Sequence, residues 1–217
     1  MDPPPGQIII VNGVPRSGKS SIVDIVQSTF EGLWMNLGVD IHCRLVTPER
    51  YQPGVGLRPR DPASEPQHPV WPLVPALFAA LYDSVAAHSR HGLNVVTDIG
   101  HHDQEGRGIL ADCARRLDGL PVLFVGLHCS LEVIMQRRKA AESGLYEIGT
   151  TDAPIPATVR RFQREVHRPG IYDLEPDTSE RSPSECAAAI QRRLQDGPPP
   201  TAFPQLAASK TLESRPN

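Results

Sequence analysis

The stretch Gln7-Ile-Ile-Ile-Val-Asn12-Gly13-Val-Pro-Arg-Ser-Gly18-Lys19-Ser20 decides how the rest of the chain is read. Its first half is short, β-branched and almost wholly apolar, the pattern of a parallel strand buried on both faces. Its second half matches G-x-x-x-x-G-K-S without a gap, and apolar residues then recur at helical spacing (Ile22, Val23, Val26, Phe30). A strand, a glycine-bounded turn and a helix start in that order make a phosphate-binding loop. The glycines let the backbone curl until several N–H groups face one point, and the helix N-terminus adds partial positive charge there. Gly13, Val14, Pro15, Arg16, Ser17, Gly18, Lys19, Ser20 and Ser21 are therefore the expected nucleotide-binding residues. Lys19 is expected on the β- and γ-phosphates of ATP and the Ser20 hydroxyl on Mg²⁺. An ordinary turn containing a lysine has the same composition; the flanking strand and helix favour the phosphate site.

Outward from this motif, strand and helix signals alternate. Leu37-Gly-Val-Asp40 reads as the end of a second short strand, and Leu73 to Ser89 as a helix with Leu77, Phe78, Leu81 and Val85 on one face. Leu93 to Asp98 and Pro121 to Leu127 read as buried strands, and Tyr172 to Asp177 as a last one. Helices are expected over 105–117, 131–141, 156–166 and 184–194. The implied class is α/β, a P-loop kinase type with an open parallel β-sheet covered by helices on both faces. The prolines at 48, 53, 59, 62, 66, 69 and 72 argue for a long irregular loop over 47–72, a candidate substrate loop. Residues 1–6 are expected to be a flexible N-terminus and 7–195 the kinase domain. From Asp196 onward, three consecutive prolines and a polar run predict a disordered tail over 196–217.

The bulk properties agree with an enzyme of this kind. At 217 residues with 39% hydrophobic content, the chain can bury one domain's core. A net charge of −3 lacks the basic footprint of a nucleic-acid binder, so no nucleic-acid partner is expected. Cys43, Cys113, Cys129 and Cys186 are scattered without metal-ligand spacing and read as reduced thiols of a cytoplasmic protein. No segment is apolar enough to span a bilayer, so no membrane partner is expected.

Two further signals bear on chemistry. Asp98 ends an apolar strand, where an acid either holds Mg²⁺ or caps the next segment; the P-loop upstream favours the metal. Residues 137–168 carry seven basic residues against four acids in a chain of net charge −3, as a lid over a transferring phosphoryl group requires. For any single arginine there, a solvated helix face is the default explanation. His101-His102-Asp103 comes just after the strand-end acid, and exposed loop histidines are the default reading.

On these motifs the sequence resembles the chloramphenicol phosphotransferase-like P-loop kinases. The likeness is carried by the P-loop, Trp34 with Leu37-Gly-Val-Asp40, Val95-Val-Thr-Asp98, Val122-Leu-Phe-Val-Gly-Leu-His-Cys129, Tyr172-Asp-Leu-Glu-Pro-Asp-Thr178 and Glu185-Cys-Ala187. It spans roughly residues 7–194. It implies ATP-dependent phosphorylation of a hydroxyl on a small molecule, often an antibiotic. Carried over, the acid that assists deprotonation of the acceptor is Asp40, the lid arginine is Arg137 with Arg138 beside it, and 177–182 runs beside adenine. A carboxylate within reach of a hydroxyl can orient it and take its proton. The proline-rich loop and the histidine pair depart from chloramphenicol-modifying members, so the acceptor is not inferred from the likeness. A nucleotide or nucleotide-sugar kinase of zeta-toxin type uses the same loop and a similar acid, with Arg44, Arg50, Arg58 and Arg60 available for a phosphorylated acceptor. A nucleotide-dependent switch protein is the non-enzymatic alternative.

The P-loop reading makes Lys19 the most sensitive single position. Lys19→Ala is expected to abolish phosphotransfer with an unchanged far-ultraviolet circular dichroism spectrum, because this charge stabilises the transferring group. Activity within a few-fold of wild type would remove the kinase assignment.

Overall fold

The first strand, β1 (Ile8–Asn12), is buried at all five positions and lies in the middle of the sheet. It pairs in parallel with β5 (Asn94–Ile99) on one side and β6 (Val122–Gly126) on the other. A short strand β2 (Trp34–Asn36) adds to β5, giving the order β2-β5-β1-β6. In a strand, alternate side chains point to opposite faces. Accordingly Ile8 and Ile10 join one hydrophobic cluster, and Ile9 and Val11 join another.

The helices cover these two faces. The second cluster includes Ile22, Val23 and Val26 of α1 (Lys19–Thr29) with Cys186 and Ile190 of α7 (Pro183–Asp196). The first includes Phe78, Leu81, Tyr82 and Val85 of α3 (Val74–Arg90) and Ile109, Leu110 and Cys113 of α4 (Ile109–Arg116). A third, smaller cluster joins Val14 of the P-loop to Ile134 and Met135 of α5 (Leu131–Lys139) and Val159 of α6 (Ala157–Glu165). Between β2 and α3 lie α2 (Val39–Ile41), a π-helical turn over His42–Val46, and an antiparallel pair formed by β3 (Gly54–Val55) and β4 (Arg58–Pro59). The computed structural model describes residues 3–52, 54–55, 58–59, 68–101, 108–141 and 148–209. Parts of the proline-rich loop and of the lid region, and His102 and Asp103, lie outside the described residues.

The structure corrects several sequence expectations. The second strand is Trp34–Asn36, and Leu37 to Asp40 form the turn that leaves it and enters a helix. The expected last strand is reduced to two parallel bridges, Leu174 with Val125 and Asp177 with His128. His101 is fully buried, its ring against Phe78 at 4.4 Å and Tyr82 at 5.5 Å between centroids. The N-terminus is anchored at Gly6, whose N–H donates to the Ser89 carbonyl at 2.8 Å while the Ser89 hydroxyl donates to the Gly6 carbonyl at 2.7 Å. A Cβ on Gly6 would lie 2.2 Å from the Leu93 carbonyl oxygen, a close approach that only glycine permits.

The largest correction concerns the expected disordered tail. Residues Ala202–Ala208 form a helix, α8, with Ala202, Phe203 and Leu206 buried. Phe203 meets Phe124 edge-to-face at 5.1 Å and stacks on Tyr82 at 6.4 Å. The start of α8 is held by Asp173, whose Oδ1 accepts the Thr201 and Ala202 N–H groups while its Oδ2 accepts the Phe124 N–H. A seven-residue helix offers too little periodicity to be seen beside three prolines, and its stability comes from docking rather than propensity. Residues 210–217 lie outside the described residues.

Docking of α8 sets an energetic expectation. Phe203→Ala should destabilise the protein by ~3–5 kcal/mol, the usual cost of removing a buried aromatic ring. Chemical denaturation measures this directly, and an unchanged midpoint would show that α8 is not part of the cooperative core.

Candidate active site

The parallel ladder continues into the P-loop. The Gly13 N–H donates to the Ile99 carbonyl at 3.2 Å, and the Asn12 carbonyl accepts the Leu127 N–H at 2.7 Å. The loop leaves the sheet between β5 and β6 and turns through Arg16 (φ 72°) and Gly18 (φ 99°) into α1. Positive φ is costly for a residue with a Cβ. Arg16 is secured there by reciprocal bonds with Arg137: its guanidinium donates to the Arg137 carbonyl at 2.8 Å, and Arg137 Nη1 donates to the Arg16 carbonyl at 3.3 Å. Gly13 sits where a Cβ would come within 2.8 Å of both the Leu127 carbonyl and the Ser17 hydroxyl.

A cleft of about 360 Å³ opens over this loop. Gly13, Pro15, Arg16, Gly18, Lys19, Ser20 and Ser21 line its floor, while Asp40, Asp98 and Arg137 line its walls. Val14 and Ser17 are buried beneath it. The structure thus brings the three dispersed acidic and basic candidates to the P-loop. Burial pushes the Lys19 ammonium below the usual lysine range, while the negative charges of Asp98 and then Asp40 oppose that shift. Both carboxylates are therefore within electrostatic reach of one ammonium. Lys19 Nζ also donates to the Gly13 carbonyl at 3.0 Å and the Val14 carbonyl at 2.9 Å.

Asp98 and Ser20 meet directly at the edge of the P-loop. The Ser20 hydroxyl donates to Asp98 Oδ2 at 2.9 Å, with Asp98 buried at the end of β5. Two hard oxygen donors beside a phosphate cradle suit Mg²⁺, which binds through one or two protein oxygens plus substrate phosphates rather than in an all-protein cage. Among the described residues no cluster of three or more His, Cys, Asp or Glu side chains competes as a metal site. Asp40 also lines the cleft, exposed, in the first turn of α2.

Arg137 is more committed than a mobile lid arginine. Its Nη1 donates to the Arg16 carbonyl and, at 3.2 Å, to the Thr178 hydroxyl; its Nη2 donates to the Thr178 carbonyl at 2.8 Å. Thr178 in turn donates from its hydroxyl to the Ser17 carbonyl at 2.7 Å. These bonds tie the P-loop to the segment after Asp177. Phe78, Phe162, Val39, Gly100 and Pro183 complete the cleft and were not marked as site residues by the sequence. Phe78 and Phe162 occur at helical spacing, where an aromatic reads as core, so no local signal distinguishes them. Thr178 was marked only as part of the segment expected beside adenine.

Behind the P-loop, Asn12 anchors three segments. Its amide nitrogen donates to the Val166 carbonyl and the Tyr172 hydroxyl, both at 2.9 Å, and its Oδ1 accepts the His101 N–H at 2.7 Å. Tyr172 also meets His167 Nδ1 at 3.0 Å, and the His167 ring stacks on His128 at 4.1 Å. Burial first, and then the neighbouring His128, push His167 down to about 4.

With this geometry in view, comparison with known proteins defines the class. The fold is that of P-loop kinases: it superposes on a shikimate kinase from Acinetobacter baumannii with a TM-score of 0.56 and 13% identity, covering 88% of this chain and 93% of that one. It also superposes on the Mycobacterium tuberculosis APS kinase with a TM-score of 0.55 and 16% identity, over 89% and 100% of the two chains. Residues 6–195 match the model of the chloramphenicol phosphotransferase-like proteins, and the chain belongs to that family. A Mycobacterium tuberculosis protein provisionally named an O-phosphotransferase is 28% identical over 213 residues, covering 94% of this chain and 88% of the relative. The chain is thus a phosphate-transferring enzyme of the kinase type. Among the described residues no helix is long and apolar enough to cross a membrane.

The lowered His167 value gives a pH expectation. Between pH 6.5 and about 4 the unfolded chain binds a proton at this site and the folded chain does not. Stability rises with pH wherever the unfolded state binds more protons, so here it falls as the solution is acidified through that window. His167→Asn should flatten the decline in melting temperature over that range. Parallel declines in variant and wild type would assign the acid sensitivity to other groups.

Proposed function

We propose that the chain transfers the γ-phosphoryl group of ATP, held with Mg²⁺, to a hydroxyl of a small molecule such as a hydroxylated natural product or antibiotic. The observation that carries this reading is that Asp40 lines the same cleft as the P-loop and the Ser20–Asp98 pair. The P-loop N–H groups and Lys19 would hold the phosphates, and Ser20 and Asp98 would hold Mg²⁺. The metal would supply positive charge beside the β- and γ-phosphates, where charge develops as the phosphoryl group moves. Arg137 would fix the nucleotide side of the cleft: its N–H groups serve the P-loop and Thr178, and the planar face of a guanidinium can stack on a purine.

In the transfer step the acceptor oxygen bonds to the γ-phosphorus as the bond to the β-phosphate oxygen breaks, leaving ADP. The acceptor's proton passes to Asp40. Phe78, Phe162 and Val39 would exclude water from this end of the cleft, suppressing transfer to water in place of the hydroxyl. A panel of hydroxylated compounds incubated with enzyme and Mg-ATP tests the reading, scored by a mass gain of one phosphate.

Asp40→Asn keeps the shape of the side chain and removes the base. Turnover should fall by ~10²–10⁴-fold, the usual worth of a positioned general base, and the lower end is expected because proton transfer is late in a loose transition state. Mg-ATP affinity should stay unchanged in calorimetry on the same sample. Unchanged turnover would assign Asp40 to a capping role, and weakened ATP binding of the same size would move it to the metal side.

A further inference from the structure

A glycine in a protein chain commonly answers one of three needs: positive φ, helix capping, or close approach by another group. At Gly38 the backbone has φ −59° and ψ 149°, values any residue adopts, so the first need is absent. As the residue before a three-residue helix it makes no side-chain cap, and serine or asparagine would serve that place as well. The third need remains. A Cβ built on Gly38 would lie 2.1 Å from Asp98 Oδ1 and 3.4 Å from the carboxylate carbon, with the Asn36 Oδ1 a milder neighbour at 3.1 Å.

The chain has little room to relieve that overlap by moving its backbone. The Leu37 N–H donates to the Val96 carbonyl at 3.1 Å, and the Thr97 hydroxyl donates to the Leu37 carbonyl at 2.9 Å. The Gly38 N–H donates to Asn36 Oδ1 at 2.9 Å, and the Gly38 carbonyl accepts the His42 N–H at 3.0 Å. The softer response is rotation of the Asp98 side chain, which would break its bond with Ser20.

We propose that Gly38 is a positioning residue for Asp98: the missing side chain is the space in which one carboxylate oxygen rests while the other meets Ser20. The carboxylate is wedged between the Gly38 backbone and the Ser20 hydroxyl, so its rotation is set from both sides. Two residues later the same turn carries Asp40. One glycine therefore lets the acceptor-side acid and the metal-side acid belong to adjacent walls of a single narrow cleft. The consequence for Mg²⁺ rests on the Mg-ATP reading above; the placement of Asp98 does not.

The test is Gly38→Ala, measured beside Asp98→Ala and the double variant, with ATP binding followed by calorimetry in EDTA and in Mg²⁺. Metal-free ATP affinity should stay within a few-fold of wild type in Gly38→Ala, because the atoms nearest the added methyl belong to Asp98 and Asn36 and not to the P-loop backbone or Lys19. The gain in affinity on adding Mg²⁺ should fall by ~10–100-fold, the usual effect of removing a partner that orients a metal ligand. On the Asp98→Ala background, Gly38→Ala should leave ATP binding unchanged and move the melting temperature far less than it does on the wild-type background, the remainder being the Asn36 contact and the ordinary Gly→Ala backbone effect. A full Mg²⁺ gain in Gly38→Ala overturns the proposal, and so do additive effects of the two substitutions. If Gly38→Ala alone does not fold, the double variant should fold, because the clashing carboxylate is gone; failure of both, with Asp98→Ala folded, also overturns it. If wild type shows no Mg²⁺ gain, the metal reading fails, and the melting-temperature cycle still decides whether Gly38 acts through Asp98.

Discussion

Everything at the active site depends on the parallel pairing of β1 between β5 and β6. The register places Val11 beside Asp98 and Asn12 beside Ile99 on one side, and Asn12 beside Gly126 on the other. Parallel strands leave their carboxyl ends on the same edge of the sheet, and in open α/β sheets ligands bind outside those ends. Because β1 runs straight into Gly13, the phosphate loop emerges level with Asp98, and the hydroxyl of Ser20 at the start of α1 reaches its carboxylate. A register slip of one residue would turn every side chain of β1 to the other face and carry the loop out of reach.

The edge is then held by polar ties rather than by more sheet. Asn12 binds the segment after β5 and the end of α6 with one buried amide. Arg137 and Thr178 bind the P-loop to the chain beyond the Asp177 bridge. Asp173 joins the β6 backbone to the start of α8, with the Arg193 guanidinium also close by at 4.0 Å. Asn12 and Thr178 are buried and Arg137 half-buried, and leaving such groups unpaired is costly.

The α8 helix lies beyond the portion of the chain that matches the family model, which ends at residue 195. Its Phe203 touches Tyr82, which touches His101, which touches Phe78 at the cleft. A continuous line of ring contacts therefore runs from the end of the described chain to the cleft wall, and the close packing of protein interiors makes such a line stiff.

Sequence alone determined the phosphate loop, the parallel core strands and the main helices, because each is encoded locally: short apolar runs for Ile8–Asn12 and Val122–Gly126, a 3.6-residue period for α1 and α3, and a contiguous motif for the loop. It also singled out Asp98 by its place at a strand end, and Asp40 and Arg137 by family likeness. What only the tertiary structure decided is what those residues touch. That Asp98 leans on Gly38, that Arg137 spends its donors on Arg16 and Thr178, that His101 is buried, and that Ala202–Ala208 is a docked helix are all facts about partners distant in sequence. No local pattern encodes such partners, because a short helix or a glycine is stabilised by the surface it meets and not by its neighbours along the chain.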